Sequence, residues 1–277
     1  MTKLKFDSKI AVIAGSGNLP KLIIETLRKS NTDFIVLAVK DNADKSILEN
    51  TKHHWINIDE FSKSIKILKN HNTTKITFVG HIQRPPLLSM KLDTTTMLLL
   101  AKFGMSKLRG GSDQLHSMIA KFVEDQGFNI IPPESIMPEL LAPSGVIGKK
   151  KPSKKDENDI DIGKKVLIKL GDMDIGQSVI VENGLVLGIE AAEGTDQLIK
   201  RCADLKKEKE RLGVLVKMKK TTQEKRIDLP AIGINTIENA YNAGLKGIAI
   251  KAGSSLIIDI KKVITTANEY GIFLIGI

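Results

Sequence analysis

The chain has 277 residues, enough for one large domain or two ordinary ones with real cores, and its 42% hydrophobic and 27% charged content is that of a soluble globular protein. Its apolar runs stop short of the roughly 18 residues a membrane helix needs, and one cysteine, Cys202, excludes an internal disulfide and any multi-cysteine metal site. The formal charge of +10 includes Lys149, Lys150, Lys151, Lys154 and Lys155 in one short stretch, but two tyrosines and one tryptophan offer little for base stacking. A solvated linker explains those lysines, and attraction to an anionic membrane surface or substrate is the functional alternative. A cytoplasmic location is the default expectation.

In chain order, Lys9–Gly15 reads as a buried strand. The turn Gly15-Ser16-Gly17-Asn18-Leu19-Pro20 leads into a helix with Leu22, Ile23, Thr26 and Leu27 on one face. Strands follow at Phe34–Val39 and Trp55–Ile58, then a helix between Asp59 and Asn70 and a strand at Lys75–Val79 ending in Gly80. This alternation predicts a parallel, doubly wound, Rossmann-like open sheet. The opening turn resembles the start of a dinucleotide fingerprint. However, Pro20 replaces the third glycine, and the acid expected about 20 residues on has only Asp41 as a late counterpart. A nucleotide-dependent oxidoreductase is therefore an alternative function with little behind it.

The loop Gly80-His81-Ile82-Gln83-Arg84-Pro85-Pro86 leaves the carboxyl edge of the sheet, where ligands of open α/β sheets collect. Arg84 is a candidate anion contact there, or a guanidinium satisfying loop carbonyls. His81 is an acid or base, or a structural residue. A helix is expected over Met97–Phe103. Arg109-Gly110-Gly111-Ser112-Asp113 then leads into a helix over Gln114–Gln126, which makes either an exposed anion-binding helix start or a plain cap. Phe128–Ile131 is the last strand of this half.

Prolines at 132, 133, 138 and 143 and the lysine run mark the domain boundary. The expected division is a first domain over 1–133, a linker over 134–158 and a second α/β domain over 159–277. In the second, a helix over Ile160–Met173 precedes a hairpin turning at Asn183-Gly184. Glu190, Glu193 and Asp196 then crowd around Gly194, with Thr195 or Asp196 capping a helix expected over 196–211. Such a loop is either a capped helix with solvated acids or an anion seat, and its carboxylates would call for a bridging cation such as Mg2+. The strand VLVKMKK, a loop over Thr221–Pro230, a helix over Thr236–Asn242, the strand GIAIKAG, a helix over 259–270 and the strand IFLIGI complete the chain.

Asp228 lies in that loop among Lys217, Lys219, Lys220 and Arg226. A carboxylate among cations stays ionised, which suits metal ligation or water orientation better than acid catalysis.

Taken together, IAGSGNLP, GHIQRPP, GGSDQLH, IPPESIMPELLAPSG, QSVIVENGLVLGIEAAEGTDQLIKR and the stretch from VLVKMKKTTQEKRIDLPAIG to GIAIKAG resemble the UDP-2,3-diacylglucosamine pyrophosphatase family called LpxI. They occur in the family's order over nearly the whole chain. The resemblance implies a cytoplasmic hydrolase of lipid A synthesis in Gram-negative bacteria. It would cleave UDP-2,3-diacylglucosamine to UMP and lipid X with Mg2+, in a cleft between two domains that enclose the lipid. The essential aspartate of the family falls on Asp228, and Glu190 and Glu193 join it as expected metal ligands. The expected substrate contacts are Gly15, Ser16, Gly17, Leu19, Arg84, Gly111, Ser112, Asp113, Gly194, Thr195, Asp196, Lys217, Lys220, Gln223 and Gly253. The chain departs from the family at Thr221-Thr222-Gln223-Glu224, where relatives often have Pro-Gly-Gln-Asp, and at Ser16, where they often have a third glycine. The expected partners are the lipid substrate and product, a peripheral contact with the inner membrane and a homodimer through exposed sheet edges, with no nucleic acid. A non-enzymatic module binding anionic lipid through the lysine run is the remaining alternative.

Overall fold

The computed structural model describes residues 8–83, 97, 112–205, 211–221 and 223–277. The chain forms two compact units, residues 1–138 with 224–228 and residues 139–223 with 229–277.

The first unit carries strands β1 (Ile10–Ala14), β2 (Phe34–Val39), β3 (His53–Ile56), β4 (Lys75–Val79) and β5 (Asn129–Ile130) and helices α1 (Leu19–Lys29), α2 (Phe61–Asn70) and α3 (Ser112–Asp125). The strands are all parallel, in the order β3-β2-β1-β4-β5, with Ile10 opposite both Phe34 and Lys75. This is the expected doubly wound sheet, and its order reverses at β1. Every β1 side chain is buried, as a central strand covered on both faces requires. In α1, Ile23, Ile24 and Leu27 face the core, while Arg28 and Lys29 occupy the last turn, where the helix dipole favours cations. β3 begins two residues earlier than Trp55, because the edge strand presents His53 and His54 to solvent and breaks the apolar pattern there.

The chain segments leaving β1 and β4 are zipped together. Gly15 N–H donates to Val79 O at 2.9 Å, Ser16 N–H to His81 O at 2.8 Å, and His81 N–H to Ser16 O at 3.0 Å. A Cβ on Gly15 would lie 2.4 Å from His81 O, and one on Gly80 would lie 2.5 Å from Ser16 O, so both positions require glycine. α3 packs Met118, Phe122 and Val123 into the sheet's core and joins β5 through a short turn at Gly127. A helix feeding a parallel strand runs back against it, so the first turn of α3 lies at the carboxyl edge of the sheet.

The second unit comprises β6 (Gly145–Val146), α4 (Lys154–Gly171), β7 (Ser178–Glu182), β8 (Leu185–Ile189), α5 (Thr195–Ala203), β9 (Val214–Lys217), β10 (Ala231–Ile232), α6 (Ile234–Asn242), β11 (Gly247–Ile250), β12 (Leu256–Ile257), α7 (Ile260–Tyr270) and β13 (Phe273–Gly276). Its main sheet runs β6-β13-β11-β9-β7-β8, parallel at β13, β11 and β9 and antiparallel at both ends, and β10 pairs with β12 separately. α4 buries Ile160 and Leu167 against Val179, Val181 and Val216 on one face. α5, α6 and α7 bury Leu198, Ile237 and Val263 against Ile180, Leu215 and Ile248 on the other.

The stretch expected as a linker is ordered. It holds short 3-10 turns at Pro133–Ser135 and Pro138–Leu140, strand β6 and the start of α4. α4 starts six residues before the expected Ile160 because Ser153 and Asp156 form a capping box, and its charged first turn gives no apolar periodicity. The hairpin turns at Asn183-Gly184 as expected, both at positive φ. Asp159 of α4, buried, accepts N–H bonds from Asn183 at 3.0 Å and Gly184 at 2.7 Å.

Candidate functional site

Asp113 and His116 stand three apart on α3, a spacing that puts both on one face of the helix. Asp113 is only 2% exposed and occupies the first turn, where the helix dipole favours a carboxylate. Asp228 reaches the same place from residues 224–228. His116 Nδ1 is 3.6 Å from Asp228 Oδ2, and one donor atom from each of Asp113, His116 and Asp228 falls within 4.8 Å of the others. Among the described residues, this is the group of three acidic or histidine side chains arranged to hold a metal ion, and His116 Nδ1 is buried there without a hydrogen-bond partner. Two carboxylates and an imidazole suit a hard or borderline divalent cation.

The segment carrying Asp228 is fastened locally. Ile227 and Asp228 N–H donate to Glu224 O at 3.1 and 3.0 Å, which closes a turn, and the Ile227 side chain packs against the core of the first unit. Arg226 forms a fork with Glu224, with both contacts at 2.9 Å, and also pairs with Glu124 of α3. The Arg226 hydrogen bonds hold the Glu224 carboxyl below the usual carboxylate range, and the two glutamates raise the basicity of Arg226. The helix that carries Asp113 and His116 therefore also anchors the loop that carries Asp228.

Other expected site residues lie in the second unit. Thr195 opens α5 after Gly194, whose φ of 80° is a glycine conformation. Thr195 Oγ1 donates to Glu190 Oε2 at 3.0 Å and accepts from Lys217 Nζ at 2.8 Å, with Ser178 Oγ at 3.1 Å. Glu190, just after β8, and Lys217, at the end of β9, are each 6% exposed, so both side chains are held out of water. Asp196 accepts from Asn239 at 3.0 Å. Lys220 pairs with Asp174, and its N–H donates to Gln223 Oε1 at 3.0 Å. Gly253 turns at a φ of 64° after β11.

The donor group around Asp228 thus differs from the expected set of Asp228, Glu190 and Glu193. Both glutamates belong to the second unit, and Glu190 is occupied with Thr195. Glu193 accepts from Ala191 N–H at 3.1 Å and from Arg201 at 2.9 Å. Its backbone N–H and Arg201 together hold its carboxyl below the ordinary range. His116 was not among the expected site residues, and the Asp-x-x-His spacing inside GGSDQLH is the signal that could have found it. Gly15 and Ser16 have their N–H groups committed to the β4 exit, so those two are not on offer to a dinucleotide pyrophosphate. Among the described residues, nothing lies within 4 Å of a Cβ built on Gly17, which has a φ of 95°. Leu19 is buried in the first turn of α1. Ser112 begins α3. Arg84, Gly111, the expected helix over 97–103 apart from Met97, and Thr222 lie outside the described residues.

The descriptions "LpxI N-terminal domain" and "LpxI C-terminal domain" match residues 9–140 and 143–275. The chain belongs to the LpxI family. UDP-2,3-diacylglucosamine pyrophosphatase LpxI of Caulobacter vibrioides is 35% identical over 274 residues, which take in 97% of each chain. Solved structures with local likeness include a UDP-glucose-4-epimerase from Stenotrophomonas maltophila with bound NAD and formylated UDP-arabinopyranose. It is 12% identical, with a TM-score of 0.29, over 44% of this chain and 34% of that one. Another is an N5-carboxyaminoimidazole synthetase from Staphylococcus aureus complexed with ADP, 15% identical at a TM-score of 0.24, over 65% of this chain and 39% of that one. Within the LpxI family, then, Asp113 and His116 are the side chains that this chain sets beside Asp228.

Proposed function

We propose that this LpxI-family protein hydrolyses the pyrophosphate bond of UDP-2,3-diacylglucosamine, giving UMP and 2,3-diacylglucosamine 1-phosphate (lipid X), with Mg2+ as its divalent cation. The observation that carries the reading is the convergence of Asp113, His116 and Asp228 in a chain alike over its whole length to a pyrophosphatase of that name. These three residues would hold the cation, which when bound neutralises phosphate oxygens and makes the phosphorus more electrophilic.

The chain's own groups do the rest. A water oxygen forms a bond to the phosphorus nearer the glucosamine, the bond from that phosphorus to the bridging oxygen breaks, and UMP leaves with that oxygen. Asp228 would offer its second carboxylate oxygen to orient the attacking water and accept its proton, with His116 holding the cation beside it. No helix among the described residues is long and apolar enough to cross a membrane. A cytoplasmic enzyme that meets its lipid at the inner-membrane surface, as a homodimer, fits this reading.

The test is UMP release from UDP-2,3-diacylglucosamine by the purified protein, with Mg2+ and with chelator. Release that is abolished by chelation is expected, and no release with Mg2+ present would sink the proposal.

A further inference from the structure

Glu134 lies in the 3-10 turn Pro133–Ser135, just beyond β5. Ile131 N–H still donates to Ile76 O at 2.8 Å, so the chain runs on beside β4 towards the carboxyl edge of the sheet, the edge at which α3 begins. Glu134 Oε2 is buried and, among the described residues, has no hydrogen-bond partner. Burial pushes its carboxyl above the ordinary range, and only its own backbone N–H works against that. A buried polar group left without a partner costs on the order of a few kcal/mol. A carboxyl in that condition at the ligand edge of an open sheet is suited to a donor brought by a bound ligand.

We propose that Glu134 reads the ribose of the nucleotide by accepting hydrogen bonds from its 2′ and 3′ hydroxyls. This rests on the substrate proposed above. A carboxylate offers two acceptor oxygens and repels phosphate, so neutral hydroxyls are its natural partners. In UDP-2,3-diacylglucosamine the hexose is acylated at positions 2 and 3, which leaves the ribose as the sugar with adjacent free hydroxyls. Asp41, which follows β2 where dinucleotide-binding sheets keep a ribose acid, is the rival. It is exposed, with a backbone φ of 60°.

The experiment measures equilibrium binding of UMP and of 2′-deoxy-UMP to the full chain by calorimetry, for wild type, Glu134→Ala and Asp41→Asn. Wild type should prefer UMP by about tenfold, as expected for a hydrogen bond to a charged group. Glu134→Ala should bring the ratio to about one, and Asp41→Asn should leave it unchanged. If Glu134→Ala does not fold, Glu134→Gln keeps the shape and should cut the ratio at least about threefold, since it loses the charge. A wild-type protein indifferent to the 2′ hydroxyl, a Glu134→Ala ratio equal to wild type, or a collapse in Asp41→Asn instead would overturn the assignment. UMP release by wild type is measured in parallel. Release without the ribose preference sinks the Glu134 role alone, whereas a Glu134-dependent preference without release sinks the hydrolytic reading alone.

Discussion

Replacing Arg226 by alanine should loosen the segment that places Asp228 without unfolding either unit. The side chains of Arg226 and Glu124 are 37% and 42% exposed, so solvent screening holds that pair to about 0.5–1 kcal/mol. The fork to Glu224, whose carboxylate side chain is 19% exposed, adds about 1 kcal/mol. Together, about 1.5–2 kcal/mol corresponds to roughly a ten- to thirtyfold fall in the equilibrium constant for the placed conformation of residues 224–228. Ile227 still packs against the core, which places the expected loss of kcat/KM near the lower end. Glu124→Ala removes only the outer pair and should cost about two- to fivefold. The acid side follows from Glu224, whose folded pKa is lowered by Arg226. Its contribution to docking is fully present above the unfolded value of about 4.3 and is lost as pH falls through the lower folded value. Arg226→Ala should abolish that acid-side loss. Steady-state kinetics against pH, with thermal melting as the control for folding, provide the assay. Wild-type kcat/KM in Arg226→Ala, or a loss explained entirely by a lowered Tm, would refute the fastening role.

Three further substitutions probe other parts of the account. His116→Ala should raise the apparent metal constant by about 10- to 100-fold in a Mn2+ or Mg2+ titration, and an unchanged constant would remove His116 from the donor set. Asp159→Ala removes the buried carboxylate that accepts from two turn amides, so urea unfolding should show a loss of about 2 kcal/mol. Hydrogen exchange at Asn183 and Gly184 should accelerate with it, and unaltered protection at those amides would contradict the clamp. Gly176→Ala places a Cβ 1.9 Å from Glu190 O at a backbone φ of 49°, so it should cost more than about 2 kcal/mol in the same assay. A Tm equal to wild type would show that the strand end carrying Glu190 yields more readily than its packing implies.

Much of the fold was legible because apolar periodicity and glycine punctuation report local structure directly. β1, β2 and β4, the Asn183-Gly184 hairpin and the helix ending at Tyr270 fall where the residues placed them. The start of α4 was hidden because a capping box needs only two polar side chains, Ser153 and Asp156, in a run that otherwise reads as a lysine-rich loop. The site was legible in part. Asp228 stood out from its charged surroundings and from the family resemblance. Its partners did not, because Asp113 reads locally as a helix cap, His116 as an ordinary helical histidine, and more than a hundred residues separate them from Asp228. Glu190 and Glu193 read as ligands because acids clustered in a loop attract a cation; in the structure they belong to a different unit from Asp228 and are bonded to Thr195 and Arg201.

Asp228→Asn tests the central claim most directly, since it keeps size and removes one negative charge from the donor set. With UDP-2,3-diacylglucosamine and saturating Mg2+, UMP release should fall by at least about 100-fold, or about 2.7 kcal/mol in transition-state stabilisation. The protein should still melt as wild type does. Release at the wild-type rate and with the wild-type metal dependence would contradict the placement of the chemistry at Asp113, His116 and Asp228.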